Sequence, residues 1–154
     1  MANQIVAGNS SNGGTAISTD TSGTLNIVTG SGSGATAVAI DGSQNLQFNS
    51  GYGSAATAYG CRAWVNFNGT GTVAIRASGN VTSITDNGTG DYTVNFTNTM
   101  PDANYAYVFG GSLNRRLQLQ NTGSVATTSS IRVQGQDNAN SAADVEAFNV
   151  AIFR

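Results

Sequence analysis

Two aspartates, an asparagine and two glycines fall within the short stretch DNGTGD, Asp86–Asp91. Closely spaced side-chain oxygens are the raw material of a calcium loop. Asn-Gly between two strand-like runs is also the strongest short signal for a hairpin turn. A calcium loop of the EF-hand kind needs a bidentate glutamate at its twelfth position. Counted from Asp86, that position is Thr97. The turn needs nothing more, because Asn87-Gly88 supplies the positive φ and Gly90 allows a bulge or a longer loop. The tetrapeptide NGTG recurs at Asn68–Gly71, again between strand-like runs. The residues favour a turn, with ion binding at Asp86 and Asp91 left open.

The remaining chemistry is narrow. The chain has no histidine, and all 6 of its basic residues are arginines. Ser-His-Asp and Cys-His nucleophiles are therefore excluded, as are Schiff bases and Ser-Lys pairs. A zinc site built on His and Cys is excluded by count, and no phosphate-binding GxxxxGKS loop occurs. Only the 8 acidic residues are left for catalysis. A glycosidase needs two carboxylates about 5–9.5 Å apart across a cleft. That requires more scaffold than a short chain of this kind offers, unless carboxylates of different subunits meet. No catalytic residue, metal ligand or cofactor is expected. Trp64, Tyr52, Tyr59, Tyr92, Tyr105 and Tyr107 could stack on sugars, but most sit at strand positions that suit core or interface roles.

Charged residues make up 9% of the 154 residues, against about 25% in an average globular protein. The surface must then be built from Ser, Thr, Asn and Gly. The net charge of −2 carries no footprint for nucleic acid or for an anionic membrane. The N-terminal MANQIVAGNSSNGG lacks the basic and apolar regions of a secretory signal, and no apolar run is long enough to span a membrane. The single cysteine, Cys61, has no partner within the chain and reads as a small buried apolar residue, with a disulfide to another copy or a reactive thiol as alternatives.

Helical periodicity is missing, and short alternating runs are punctuated by Gly, Asn and Asp, so the chain is all-β. Residues 1–60 form an arm with short apolar runs and an internal echo: DTSGTLNI from Asp20 and DGSQNLQF from Asp41 match in Asp, Ser and Leu. Each copy reads as a turn followed by a strand with its large residues on one face. Burying a few such side chains gains about 1.5–3 kcal/mol each. Ordering the backbone costs about 1–2 kcal/mol per residue. Such an arm cannot form a core alone, and an intertwined shaft shared by three chains fits the pattern. GSGSG at Gly30–Gly34 and GYGSAATAYG at Gly51–Gly60 read as joints.

Residues 61–154 read as a denser antiparallel β-sandwich of about eight strands, jelly-roll-like. Cys61, Ala63, Val65 and Phe67 share one face, as do Tyr92, Val94 and Phe96, and Tyr105, Tyr107 and Phe109. The closing run is apolar on both faces, with Phe148, Val150 and Ile152 on one and Val145, Ala147, Ala151 and Phe153 on the other. That places it centrally or against another subunit.

The elements AWVNFNGT, SGNVTSITDNGTGDYTVNF and MPDANY, within Cys61–Gly110, resemble a module found at the C-terminal end of bacteriophage fibre and structural proteins. The closing strand Phe148–Phe153 and the upstream Asp-x-Ser arm are similar to theirs as well. The resemblance implies a virion protein, made in the host cytoplasm: a homotrimeric tail fibre whose head adheres to the host surface. The alternative is a capsid decoration or head-fibre protein bound to capsomers. It implies partners of three kinds: other copies of the chain, another virion protein docked through the N-terminal arm, and a host-surface glycan or protein. It brings no catalytic residues. Two loops are the candidate receptor contacts, with Gly110, Gly111, Ser112 and Asn114 in one and Gln136, Asp137, Asn138 and Asn140 in the other.

Overall fold

A computed structural model describes residues 23–29, 35–49, 54–112, 114–120 and 125–154. The expectations for residues 1–22, the Gly30–Gly34 joint and Tyr52 lie outside those residues. The protein is all-β, and the chain divides into two compact units, Met1–Ala58 and Tyr59–Arg154.

The first unit contains an antiparallel meander in the order β1 (Leu25–Thr29), β2 (Ala35–Ile40), β3 (Leu46–Phe48) and β4 (Ala56–Thr57). Asp41 builds the turn between β2 and β3. Its Oδ1 accepts from the Ser43 and Asn45 amides, both at 2.9 Å, and its Oδ2 accepts from Gln47 Nε2 at 3.0 Å. These hydrogen bonds, led by the Asn45 amide, hold the Asp41 carboxyl below its ordinary range. Residues directly opposite in an antiparallel pair share a face. The register places Leu25, Ile40 and Leu46 in one row and Ile27, Val38, Phe48 and Ala56 in the next, on the same face. Asn26, Ala39, Gln47 and Thr57 occupy the other face. Among the described residues this apolar face is largely open: Ile27 is 57% exposed and Leu46 51%, Ile40 and Phe48 are exposed too, and Leu25 and Val38 are half-buried.

The second unit is a sandwich of two four-stranded antiparallel sheets. One has the order β6 (Ala74–Gly79), β5 (Cys61–Asn68), β12 (Phe148–Phe153), β9 (Ala106–Gly111). The other has the order β10 (Arg116–Leu119), β11 (Ser130–Gln136), β8 (Asp91–Phe96), β7 (Val81–Gly88). Alternation puts Ala63, Val65, Phe67, Phe148, Val150 and Ile152 of the first sheet against Tyr92, Val94, Phe96, Ile131 and Val133 of the second. Phe67 and Phe148 stack at 5.1 Å between ring centres, and the Tyr92 ring meets both edge-on at 5.2 and 6.0 Å. Such aromatic pairs add to the gain from burial.

Two sequence expectations change here. Cys61 is exposed at the start of β5, where the register with β12 shifts between Ile152 and Phe153. Its Sγ lies 3.3 Å from the Ala63 carbonyl oxygen. Val145 does not lie on the second face of the closing strand. It precedes β12 and turns wholly into the core, over Gly135, where a Cβ would stand 2.4 Å from Val145 Cγ2. Truncating the central ring by Phe148→Ala is expected to cost about 3–5 kcal/mol, read as a lower urea midpoint with an unchanged slope.

Candidate functional site

DNGTGD folds as the β7–β8 hairpin. Asp86 Oδ1 accepts from the Gly88 amide at 2.9 Å, and Gly88 and Gly90 both adopt positive φ. Asp91 begins β8 and faces outward beside Arg132 of β11. Arg132 donates Nε to Oδ1 at 2.9 Å and Nη2 to Oδ2 at 2.6 Å, and Gln120 Nε2 reaches Oδ2 at 2.8 Å. The Arg132 guanidinium, chiefly through its hydrogen bonds, holds the Asp91 carboxyl below its ordinary value. Both Asp91 oxygens accept N–H donors, and its charge partner is the Arg132 guanidinium. The rest of this outer face is a lattice of neutral side chains: Asn95 Nδ2 donates to Ser83 and Thr85, Asn87 Nδ2 to Thr93, and Gln118 to Gln134.

The hairpin also anchors a second feature. The Gly90 amide donates to Asp144 Oδ1 at 2.8 Å, and the Gly135 amide donates to the Gly90 carbonyl at 2.7 Å. At Gly90, φ is 66° and a Cβ would lie 2.5 Å from the Gly135 carbonyl oxygen, so glycine alone permits the approach. The Tyr92 hydroxyl is shared between the Gly69 carbonyl at 2.7 Å and Asp144 Oδ1 at 2.9 Å. Burial, reinforced by Asp144, raises the Tyr92 phenol well above its ordinary value, so it stays a donor. Asp144 is thus fixed from beneath by two donors on the core side.

Around Asp144 the chain after β9 meets the chain that leads into β12. The end of β9 carries Ser112, whose amide donates to the Ala147 carbonyl at 3.1 Å and whose Oγ accepts from the Ala147 amide at 2.9 Å. Arg115 crosses to the Asp144 carbonyl at 3.2 Å. Thr70, Ser112, Asn114, Arg115, Asp144 and Glu146 line an open cleft of about 300 Å³ at this end of the sandwich. Of the predicted contacts, Ser112 and Asn114 line the cleft. Asp137, Asn138 and Asn140 form the adjacent turn, where Asp137 Oδ1 accepts from the Ala139 and Ser141 amides and Arg116 donates to the Asn140 side chain. Gly110, Gly111 and Gln136, expected in loops, are strand residues: Gly110 and Gly111 end β9, and Gln136 ends β11 with its amide on Gln134. Thr70, Arg115, Asp144 and Glu146 were missing from the predicted set. Their signal was rarity, since three of the chain's few charged residues converge on one cleft.

The cleft offers donors and acceptors of both signs in open solvent, which suits recognition of a polar, hydroxyl-rich or mixed-charge surface. A groove of about 630 Å³ lies at the opposite end of the sandwich, lined by Cys61, Arg62, Asn80 and Thr97–Met100. There Asn80 spends its side chain on the carbonyls of Arg62 and Asn98 and on the Asn98 amide. Among the described residues, no three His, Cys, Asp or Glu side chains are gathered to hold a metal ion.

No family model and no curated protein matches the chain. Among solved structures, the chain is similar to the phiAB6 tailspike, determined in complex with three-repeated oligosaccharides of Acinetobacter baumannii surface polysaccharide. Identity is 17% and the TM-score 0.49, over 98% of this chain and 30% of that one. A likeness at that level carries nothing about activity or ligand.

The Asp91–Arg132 pair gives a pH signature. A carboxyl held below its ordinary value of 3.8 stabilises the fold above that pH, and the contribution fades as pH falls through the folded value. Asp91→Asn should cost about 1 kcal/mol at neutral pH, a modest figure because Arg132 is partly open to solvent. The gap between wild type and variant should narrow below pH 3.8, as seen in chemical unfolding across an acid series.

Proposed function

We propose that the chain is a bacteriophage fibre protein. It assembles as a homotrimer, is held in the virion through its N-terminal arm, and presents the cleft end of its head to the host surface. The observation that carries this reading is the largely open apolar face of the β1–β4 meander. Leu25, Ile27, Val38, Ile40, Leu46 and Phe48 lie side by side on it, and four of them are exposed. Side chains of this size gain about 1.5–3 kcal/mol each on full burial, so the face calls for a partner of matching shape and repeat. Other copies of the same chain supply one. The need for copies comes from this face, and the number three comes from the resemblance of the Cys61–Gly110 module to phage fibre proteins.

The head supports adhesion without turnover. No histidine or lysine is available, and one carboxylate oxygen of Asp144 is held by Gly90 and Tyr92. A host glycan or protein surface would meet Asn114, Arg115, Asp144 and Glu146 at the rim, with Asp137, Asn138 and Asn140 beside them. Purified full-length protein, added to host cells before phage, should lower adsorption in proportion to its occupancy. The double variant Arg115→Ala, Glu146→Gln should compete at least several-fold less well while melting at the same temperature. Equal competition by the variant would remove the cleft from the reading. Antibody label on the capsid instead of the tail would favour the decoration role.

A further inference from the structure

The tetrapeptide NGTG stands at Asn68–Gly71 and again at Asn87–Gly90, and the fold holds the two copies differently. An Asn-Gly pair carries a latent reaction. The glycine nitrogen can attack the carbonyl carbon of the asparagine side chain, and the missing Cβ leaves that approach unhindered. The fold sets how free the glycine N–H is, how free the side-chain amide is, and how much room a new ring has.

At the first copy all three are withheld. Gly69 is buried, and its N–H donates to the Val145 carbonyl at 2.9 Å. The Tyr92 hydroxyl lies over it, so that a Cβ there would stand 2.6 Å from the phenol oxygen. Asn68 Nδ2 donates to the Thr70 and Thr72 carbonyls at 2.6 and 3.1 Å, and its Oδ1 accepts from Thr70 Oγ1 at 2.9 Å. The side chain must give up these bonds before it can reach the Gly69 nitrogen.

The second copy is open. Asp86 pairs with Tyr92 and Gly88 with Asp91, which leaves Asn87 as the extra residue of a bulge, with no partner across the hairpin. Asn87 and Gly88 are both exposed. The Gly88 N–H donates to Asp86 Oδ1 at 2.9 Å, and that carboxylate is itself on an exposed side chain. A Cβ at Gly88 would meet no atom within 4 Å, so a ring closing there has space. Asn87 Nδ2 donates to Thr93 Oγ1 at 2.9 Å and reaches Asp91 Oδ1 at 3.4 Å, while its Oδ1 has no hydrogen-bond partner among the described residues.

We propose that Asn87 is a site of spontaneous deamidation in the folded protein, that Asn68 in the same tetrapeptide is protected by the fold, and that the change weakens the β7–β8 hairpin. The Gly88 nitrogen loses its proton to solvent base and bonds to Asn87 Cγ. Nδ2 leaves as ammonia, and a succinimide ring remains. Water then opens one of its two carbonyls, giving aspartate or isoaspartate at position 87. Either product removes the donor to Thr93 and sets a new carboxylate beside Asp91, where like charges repel. Isoaspartate also lengthens the backbone of the hairpin that carries Gly90, whose amide holds Asp144.

Cleavage after arginine separates the two sites, with Asn68 in the peptide 63–76 and Asn87 in the peptide 77–115. A third pair, Asn12-Gly13, lies outside the described residues and in a different peptide. Full-length protein is held at mildly alkaline pH, folded or in urea, and mapped by mass spectrometry over time. In the folded protein Asn87 should convert at least several-fold faster than Asn68, with aspartate and isoaspartate both formed. In urea the two should convert at similar rates. Equal conversion in the folded protein would overturn the assignment, as would an Asn87 that stays intact when folded while the urea-unfolded chain converts. The variant Asn87→Asp should melt below the wild type at neutral pH, and an unchanged melting temperature would overturn the weakening of the hairpin.

Discussion

A β-sheet has two faces, and each apolar face has to be covered by something. That constraint organises this protein. In the head, the inner faces of two sheets cover each other, and Phe67, Tyr92 and Phe148 fill the space between them. In the first unit, the described residues form a meander of four strands with one apolar face. The head closes its core within one chain, and the meander cannot. The contrast gives each unit its part in the proposed fibre, one associating and one displaying.

Scarcity of charge is the second organising fact. With 9% charged residues, solubility rests on amides and hydroxyls, which pair into ladders across the outer face of one head sheet. The few ionic groups are placed where they act locally. Arg132 clamps Asp91 at the start of β8, Arg154 clamps Asp102, and Arg115, Asp144 and Glu146 gather at one end. Asp144 links the two themes, because the turn glycine Gly90 and the core tyrosine Tyr92 that fix it flank Asp91 at the start of β8.

Alternation with a period of two made the strands and the main core legible: Ala63, Val65 and Phe67, or Tyr92, Val94 and Phe96, are buried as their spacing predicts. The Asp41 turn and the DNGTGD hairpin followed from local chemistry alone. What stayed hidden depends on tertiary geometry. A register shift at the end of β12 leaves Cys61 outside, and the chain before β12 folds Val145 inward over Gly135. Of the eight residues read as loop contacts, Ser112 and Asn114 line the cleft, and Gly110, Gly111 and Gln136 are strand residues. The assembly around Asp144 runs through Gly90 and Tyr92, more than fifty residues away in sequence, and no local pattern announces it.

The central claim is that the apolar face of the meander is covered by copies of the same chain. Sedimentation equilibrium of the full-length protein, beside a variant carrying Ile27→Asp and Phe48→Asp, tests it most directly. The account predicts three chain masses for the wild type across dilution and a shift toward one chain mass for the variant, with the head still folded. A wild type that sediments as a folded monomer, or a variant that stays trimeric and as stable as the wild type, would contradict it.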